Sequence, residues 1–190
     1  MMKKVSFLGQ VGMLVLISVL SLRAGNLVAE EAQVSADFSM DMRPPAADVE
    51  IGQGELQGIA DFFHQAEFAI ESENIDALMT LYSDQYTNLS NHDKEFAEQL
   101  WIKIFAGFDN ISSRHSMQLI TYDKAAGQAV TECDGLLTGT PKGEDNTVTI
   151  DRWDKQRHIL VKEGDWKLFG NSGRSATRYG EEDGKLHPLF

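Results

Sequence analysis

Between residues 54 and 171 the apolar positions recur with two different periods. Leu56, Ile59, Phe63, Ala66 and Ile70 fall at spacings of three and four, which puts them on one face of a helix. Glu73-Asn74 closes that helix. Asn74 is placed to cap a second helix, striped by Ile75, Leu78, Leu81 and Tyr82. Tyr86 to Leu89 reads as a short extended piece. Ser90 and Asp93 have capping-box spacing, with Asp in place of Glu. They open a third helix with Phe96, Leu100, Ile104 and Phe108 inward, its apolar face widened by Trp101 and Phe105.

After Asn110 the period changes to two. Ile111, His115, Met117 and Leu119 alternate with Arg114, Ser116 and Gln118, the signature of a half-buried strand. Lys124 to Gly127 supplies a turn into a second strand, Ala129 to Leu137. Val148 to Val161 makes a third, long enough to need a bulge where its apolar parity changes. Glu163-Gly164-Asp165 turns it into Trp166 to Phe169. Three N-terminal helices followed by an antiparallel meander predict an α+β domain with the helices packed on one face of a curved sheet.

The ends of the chain read differently. Lys3 and Lys4 precede the apolar run Phe7 to Leu22, and the small-residue stretch around Ala24 and Ala29 precedes Glu30-Glu31. That order is expected of a secretory leader, 1–29, with cleavage near Ala29 or Ala24. The alternative, an uncleaved anchor, is disfavoured because a bilayer span needs about 20 apolar residues. The expected location is periplasmic or secreted, with no stable membrane anchor after cleavage. Residues 30–53 carry Pro44-Pro45, several acids and no apolar period, and read as a flexible acidic linker; 172–190 read as a loosely held tail. Losing 1–29 removes Lys3, Lys4 and Arg23 and no acid, so the net charge of −12 becomes −15. Such a surface repels phosphate backbones, which argues against a nucleic-acid partner. Cys133 is the single cysteine, so the chain has no internal disulfide and its core alone must hold it.

The candidate chemistry lies on the strands. His115 is on the apolar parity of its strand, where an imidazole is suited to act as a general acid or base. The simpler reading is a buried histidine bonded to one carbonyl. Asp151 and Trp153 share a strand face, and a carboxylate beside an indole is an environment that raises a carboxyl pKa. Against this stands pairing of Asp151 with Arg152, Lys155 or Arg157 at the sheet surface. Tyr86 and Trp101 are pocket walls or plain core. Cys133, with no basic neighbour in sequence, reads as a buried inert thiol. The five histidines, His64, His92, His115, His158 and His187, form no pair at metal-site spacing, and no phosphate loop is present; neither metal nor cofactor is expected.

Three stretches, in this order, carry a resemblance: Ser72-Glu73-Asn74-Ile75-Asp76-Ala77-Leu78 with Leu81-Tyr82-Ser83-Asp84, then Asp151-Arg152-Trp153, then Glu163-Gly164-Asp165-Trp166-Lys167-Leu168. Over 54–171 the chain resembles the nuclear transport factor 2-like (cystatin-like) superfold, and within it the bacterial SnoaL-like, polyketide-cyclase-type proteins. The resemblance implies a cone with an apolar pocket at its open end and a homodimer formed through the sheet. Its members include isomerases, dehydratases, epoxide hydrolases and non-catalytic modules, so fold alone does not fix function. Ketosteroid isomerases of this superfold use a carboxylate base and a tyrosine. Counted from Ile75, those positions fall at Ser90 and Ala66, which cannot do either job. Its epoxide hydrolases use an Asp-Arg-Asp set, for which Asp134, Asp151 and Arg152 or Arg157 have the right types. Three functions follow as expectations. The first is an exported domain binding a small apolar ligand. The second is a cofactor-free isomerase, lyase or hydrolase using His115 and Asp151. The third is an interaction module whose cone is filled by its own side chains.

Overall fold

The computed structural model describes residues 40–172 and the backbone of 175–178. The expected leader 1–29 lies outside the described residues, as do 30–39 of the linker and 179–190 of the tail. In chain order the elements are β1 (Met40–Arg43), α1 (Gln53–Glu71), α2 (Ile75–Thr80), α3 (Lys94–Gly107), β2 (Phe108–Asp123), β3 (Gln128–Pro141), β4 (Val148–Glu163), β5 (Asp165–Ser172) and β6 (Ser175–Arg178).

The helices follow their apolar stripes. On α1, Ile59, Phe63, Ala66 and Ile70 are fully buried, each large one worth about 1.5–3 kcal/mol in surface removed from water. Asn74 caps α2 as its position requires, its side chain accepting from the Ala77 amide at 3.0 Å. The third helix departs from expectation at its start. Its N-cap is Asp93, which accepts from the Phe96 amide at 2.9 Å, and the Ser90 amide instead donates to Asn88 Oδ1. The inward residues therefore begin at Ala97, followed by Leu100, Trp101, Ile104 and Phe105. Phe96 is 41% exposed and stacks on His92 at 3.7 Å.

The sheet runs β1-β2-β3-β4-β5, with β6 pairing the first half of β4. From β2 to β5 it is the expected antiparallel meander. Gly164, at φ +83°, makes the tight turn into β5. The expected bulge in β4 is present. Gly135 opposes Trp153 and Cys133 opposes Gln156, so β4 spends one residue more than β3 across this interval, and Lys155 takes φ +53°. A second extra residue, Ile150, lies between the pairs Leu137–Asp151 and Thr138–Thr149.

Two stretches expected to hang free are partly built into the sheet. β1 lies within the expected linker and pairs parallel with β2, Met40 opposite His115 and Arg43 opposite Gln118. The Ala46 amide then donates to Leu119 O at 2.9 Å, while Met42, Val49 and Ile51 pack on the core. With only a few apolar residues this stretch has no readable period, yet an open strand edge supplies partners for its backbone. β6, inside the expected tail, pairs Asp151–Asp154. Deleting residues 40–50 should therefore lower the thermal midpoint by about 5–10 °C, from lost Met42 and Val49 burial and lost edge pairing. A calorimetric scan of residues 30–190 with and without the segment measures this, and an unchanged midpoint would contradict the docking.

Candidate functional site

The inward face of the sheet can be followed across β2, β3 and β4 by register. Its successive rows are Ser113–Leu137–Asp151, His115–Gly135–Trp153, Met117–Cys133–Gln156 and Leu119–Thr131–His158. Every side chain in these rows is buried, including those of Ser113, His115, Thr131, Asp151, Gln156 and His158. Helix α1 covers this face. Phe63 meets His158 edge-on at 5.4 Å, and one turn later Glu67 reaches His115. Charged and polar groups rarely gather inside a small domain without partners or purpose.

The strongest interaction on the face joins Glu67 and His115. The carboxylate Oε1 lies 2.7 Å from Nδ1, with the two side chains 5% and 0% exposed. A carboxylate at Nδ1 fixes the ring's orientation and places an N–H toward Glu67; in the neutral ring Nε2 is then the acceptor. No protein partner among the described residues reaches Nε2. One turn on, Glu71 Oε1 accepts from the Ser113 amide at 3.0 Å and from Ser112 Oγ at 3.2 Å, which ties α1 to β2 beside the pair. Glu67 was not singled out from the sequence. Its signal is a carboxylate inside the stripe Phe63, Ala66, Ile70, four residues after Phe63 and three before Ile70 and so on the same helix face.

The structure brings some of the expected residues together and separates others. His115 and Trp153 are neighbours, ring centroids 5.2 Å apart, and Asp151 is fully buried two residues along the same strand face. Asp151 does not lie at the sheet surface; it is fully buried, and its Oδ1 accepts from the Arg152 amide at 2.9 Å. Trp153 lies flat over Gly135, where a Cβ would fall inside the indole, and its Nε1 donates to Cys133 Sγ at 3.3 Å. Tyr86 and Trp101 form a different cluster. The Trp101 Nε1 donates to the Tyr82 hydroxyl at 3.0 Å, and the Tyr82 and Tyr86 rings meet at 4.9 Å. Burial holds the Tyr82 phenol well above its ordinary pKa. The cluster touches the concave face through Asn171, whose amide nitrogen donates to the Tyr86 hydroxyl at 3.4 Å and whose oxygen is 3.0 Å from His158 Nδ1.

The Asp-Arg-Asp set is not assembled. Asp134 is on the outer face, where Lys155 N donates to it at 2.9 Å, while Asp151 points inward. Arg157 pairs with Glu132 at 3.6 Å. The backbone N–H of Lys155 holds Asp134 below the usual carboxyl range, and a hydrogen bond to Asp134 raises Asp154 above it. Both border an outer groove of about 770 Å³ with Arg114, Leu136 and Arg152. Among the described residues no three metal-ligating side chains converge. Burial pushes the Cys133 thiol up to about 12.

No family model matches the chain, and no curated protein matches it by sequence. Solved structures do resemble it. A candidate scytalone dehydratase of Novosphingobium aromaticivorans superposes with a TM-score of 0.56 at 14% identity, over 66% of this chain and 88% of the other. A candidate aromatic ring hydroxylase from the same species gives 0.55 at 15% identity, over 67% and 96%. A candidate dehydratase of the nuclear transport factor 2-like family from Streptomyces avermitilis gives 0.52 at 11% identity, over 67% and 99%. The chain thus has the nuclear transport factor 2-like, cystatin-like α+β fold, in agreement with the order of its sequence motifs.

Two outcomes test this geometry. Cys133 should resist thiol reagents at pH 8 until the protein is unfolded, because a thiol pushed up to about 12 is almost wholly protonated there and is also shielded; a rapid reaction in the native state would refute its placement. Gly135→Ala should cost about 2 kcal/mol or more in urea unfolding, since the new methyl must displace the Trp153 indole.

Proposed function

We propose that this domain is exported, holds a small molecule against the concave face of its sheet, and moves a proton on it without a cofactor. His115 Nε2 is the general base and acid, and Glu67 is the group that positions it. The observation that carries this reading is the buried 2.7 Å contact between Glu67 and His115 Nδ1, with Nε2 on the concave side left without a protein partner. A histidine kept only for packing gains nothing from a buried carboxylate, whose desolvation costs several kcal/mol. Asp151 replaces neither group and is a second carboxylate on the adjoining row. The dehydratase names of the structural neighbours agree with proton-transfer chemistry but reach this chain through fold alone. Export rests on the leader expected at 1–29, and pairing of two copies through the outer sheet face is expected of the fold.

Nitrobenzisoxazole, whose ring opens when a base removes one proton, tests the reading without knowledge of the natural substrate. The mature wild-type protein should open it, and His115→Gln, which still donates to Glu67 but has no basic nitrogen, should lower kcat about 10²–10⁴-fold. Glu67→Gln should lower kcat by less and leave KM nearly unchanged, as expected for a positioning group. Equal turnover in wild type and His115→Gln would sink the catalytic assignment. One observation favours a rival: Trp153 fills the space above Gly135 as a plug would. An interaction module of that kind would show no turnover in any variant.

A further inference from the structure

The outer face of the sheet carries a feature that the proton-transfer reading does not use, the groove of about 770 Å³ bordered by Asp134 and Asp154. Two rows of side chains cross it. In the first, Arg114 lies opposite Leu136 and Leu136 opposite Arg152, so two guanidinium groups flank one half-buried apolar side chain. Neighbouring strands lie about 4.7–4.9 Å apart, which sets the two arginine Cα atoms roughly 10 Å apart. Their long side chains can close on a single anion above Leu136. Two residues along the strands, about 6.5–7 Å away, comes the second row. Here Ser116 lies opposite Asp134, and Asp154 follows on β4.

These charges are not arranged to stabilise the fold. The chain has 29 acidic residues against 17 lysines and arginines, so a carboxylate is at hand for almost any cation. The other arginines with described side chains use one: Arg43 is 3.8 Å from Asp134, and Arg157 is 3.6 Å from Glu132. Neither Arg114 nor Arg152 forms an ion pair among the described residues, although two acids stand in the next row. Two guanidiniums on one row repel each other, and so do two carboxylates. Both arginines and Asp154 are exposed and the groove is open to solvent, so a guest has room and a route.

We propose that this groove binds a small dipolar molecule, an ω-amino acid or a compound with the same two ends. Its carboxylate lies between Arg114 and Arg152, where each guanidinium can donate two parallel N–H bonds, and its ammonium lies at Asp134 and Asp154. Its methylene chain starts over Leu136 and crosses from one row to the other. An anion alone would face the two acids, and a cation alone the two arginines. A guest with its charges one row spacing apart meets neither repulsion. The site is separate from the concave face and does not depend on the chemistry proposed there.

The probe is 6-aminohexanoate, whose ends are about as far apart as the two rows; hexanoate and hexylamine each lack one end. Protein-observed NMR on residues 30–190 should show saturable shifts of the Leu136 methyls, with the single-ended compounds binding about tenfold more weakly. Replacing both arginines, Arg114→Gln with Arg152→Gln, should reduce 6-aminohexanoate to the affinity of hexylamine. Asp154→Asn should reduce it to that of hexanoate. All three side chains are exposed, so these variants should keep the thermal midpoint of wild type. Asp134 is left in place because it holds the Lys155 amide at the bulge. Hexylamine binding as tightly as 6-aminohexanoate would mean a cation held by the acidic surface at large, and would overturn the proposal. So would an affinity indifferent to the arginine pair, or no binding at all, the result expected if a second copy covers the groove. His115→Gln should leave probe binding unchanged, and the arginine variant should leave ring opening unchanged, so failure at either site is read separately.

Discussion

With a period of two, a strand that turns Asp151 and Trp153 inward would turn Gln156, His158 and Leu160 to the outer surface. All five are buried, because β4 spends an extra residue at Lys155 and so shifts its parity by one. Three consequences depend on that residue. Leu160 joins the core and closes the far end of the interior. His158 reaches Phe63 and Asn171, linking the sheet to α1 and to the tyrosine cluster. Gln156 comes to lie beside Cys133 on the same face as His115 and Trp153. Lys155 adopts a left-handed backbone that a non-glycine residue accepts only at a cost of order 1 kcal/mol or more, held there by the Lys155 amide bonding to Asp134.

What the bulge assembles is an interior divided by function. Below, Ile59, Phe63, Ile70, Leu100, Ile104 and Leu168 form a continuous apolar core against the helices. Above, on the sheet, polar groups occur in every row. The Glu67–His115 pair is the anchor of this upper layer: removing one partner strands the other as an unpaired buried group, at about 3–5 kcal/mol. Glu71 on the next turn fastens the neighbouring backbone of β2, so α1 is fixed to the sheet at two successive carboxylates. The position of His115 is thus set from behind, by the helix, while its Nε2 is left to face across the sheet.

The fold was largely legible because long periodic segments declare themselves. The α1 stripe, the alternation from Ile111 to Leu119 and the hairpin at Gly164 all appear where their spacing puts them. The bulge in β4 was legible as a need, since no single parity fits both Trp153 and Leu160, but not as a position. Short elements escaped. β1 owes its existence to the open edge of β2, a tertiary circumstance with no periodic trace. Ser90 was outcompeted as a cap by Asp93, three residues on. Parity alone put His115, Asp151 and Trp153 on the inward face, where the structure has them. Glu67 was overlooked because a single acid in an apolar helical stripe looks like a boundary residue, and Gln156 because its face depends on where the bulge falls. Tyr86 and Trp101 are large and buried, which the sequence shows, but their partner is Tyr82, which only packing decides.

A domain with a single cysteine, and so no internal disulfide, and an excess of negative charge has little stability to give away. Its most economical interior would be apolar throughout: replacing Gln156, Thr131 and Ser113 by Leu, Val and Ala would remove unpartnered polar atoms at no cost in hydrogen bonds. Replacing the Glu67–His115 pair by two packed apolar residues would be close to neutral for the same reason. The chain instead holds this set together on one buried face, where a tryptophan packs flat on a glycine at 135 that leaves room for it. Polar groups kept at a net cost to folding repay it only through something that binds them. That is why the concave face, and not the groove outside the sheet, carries the catalytic reading of this protein.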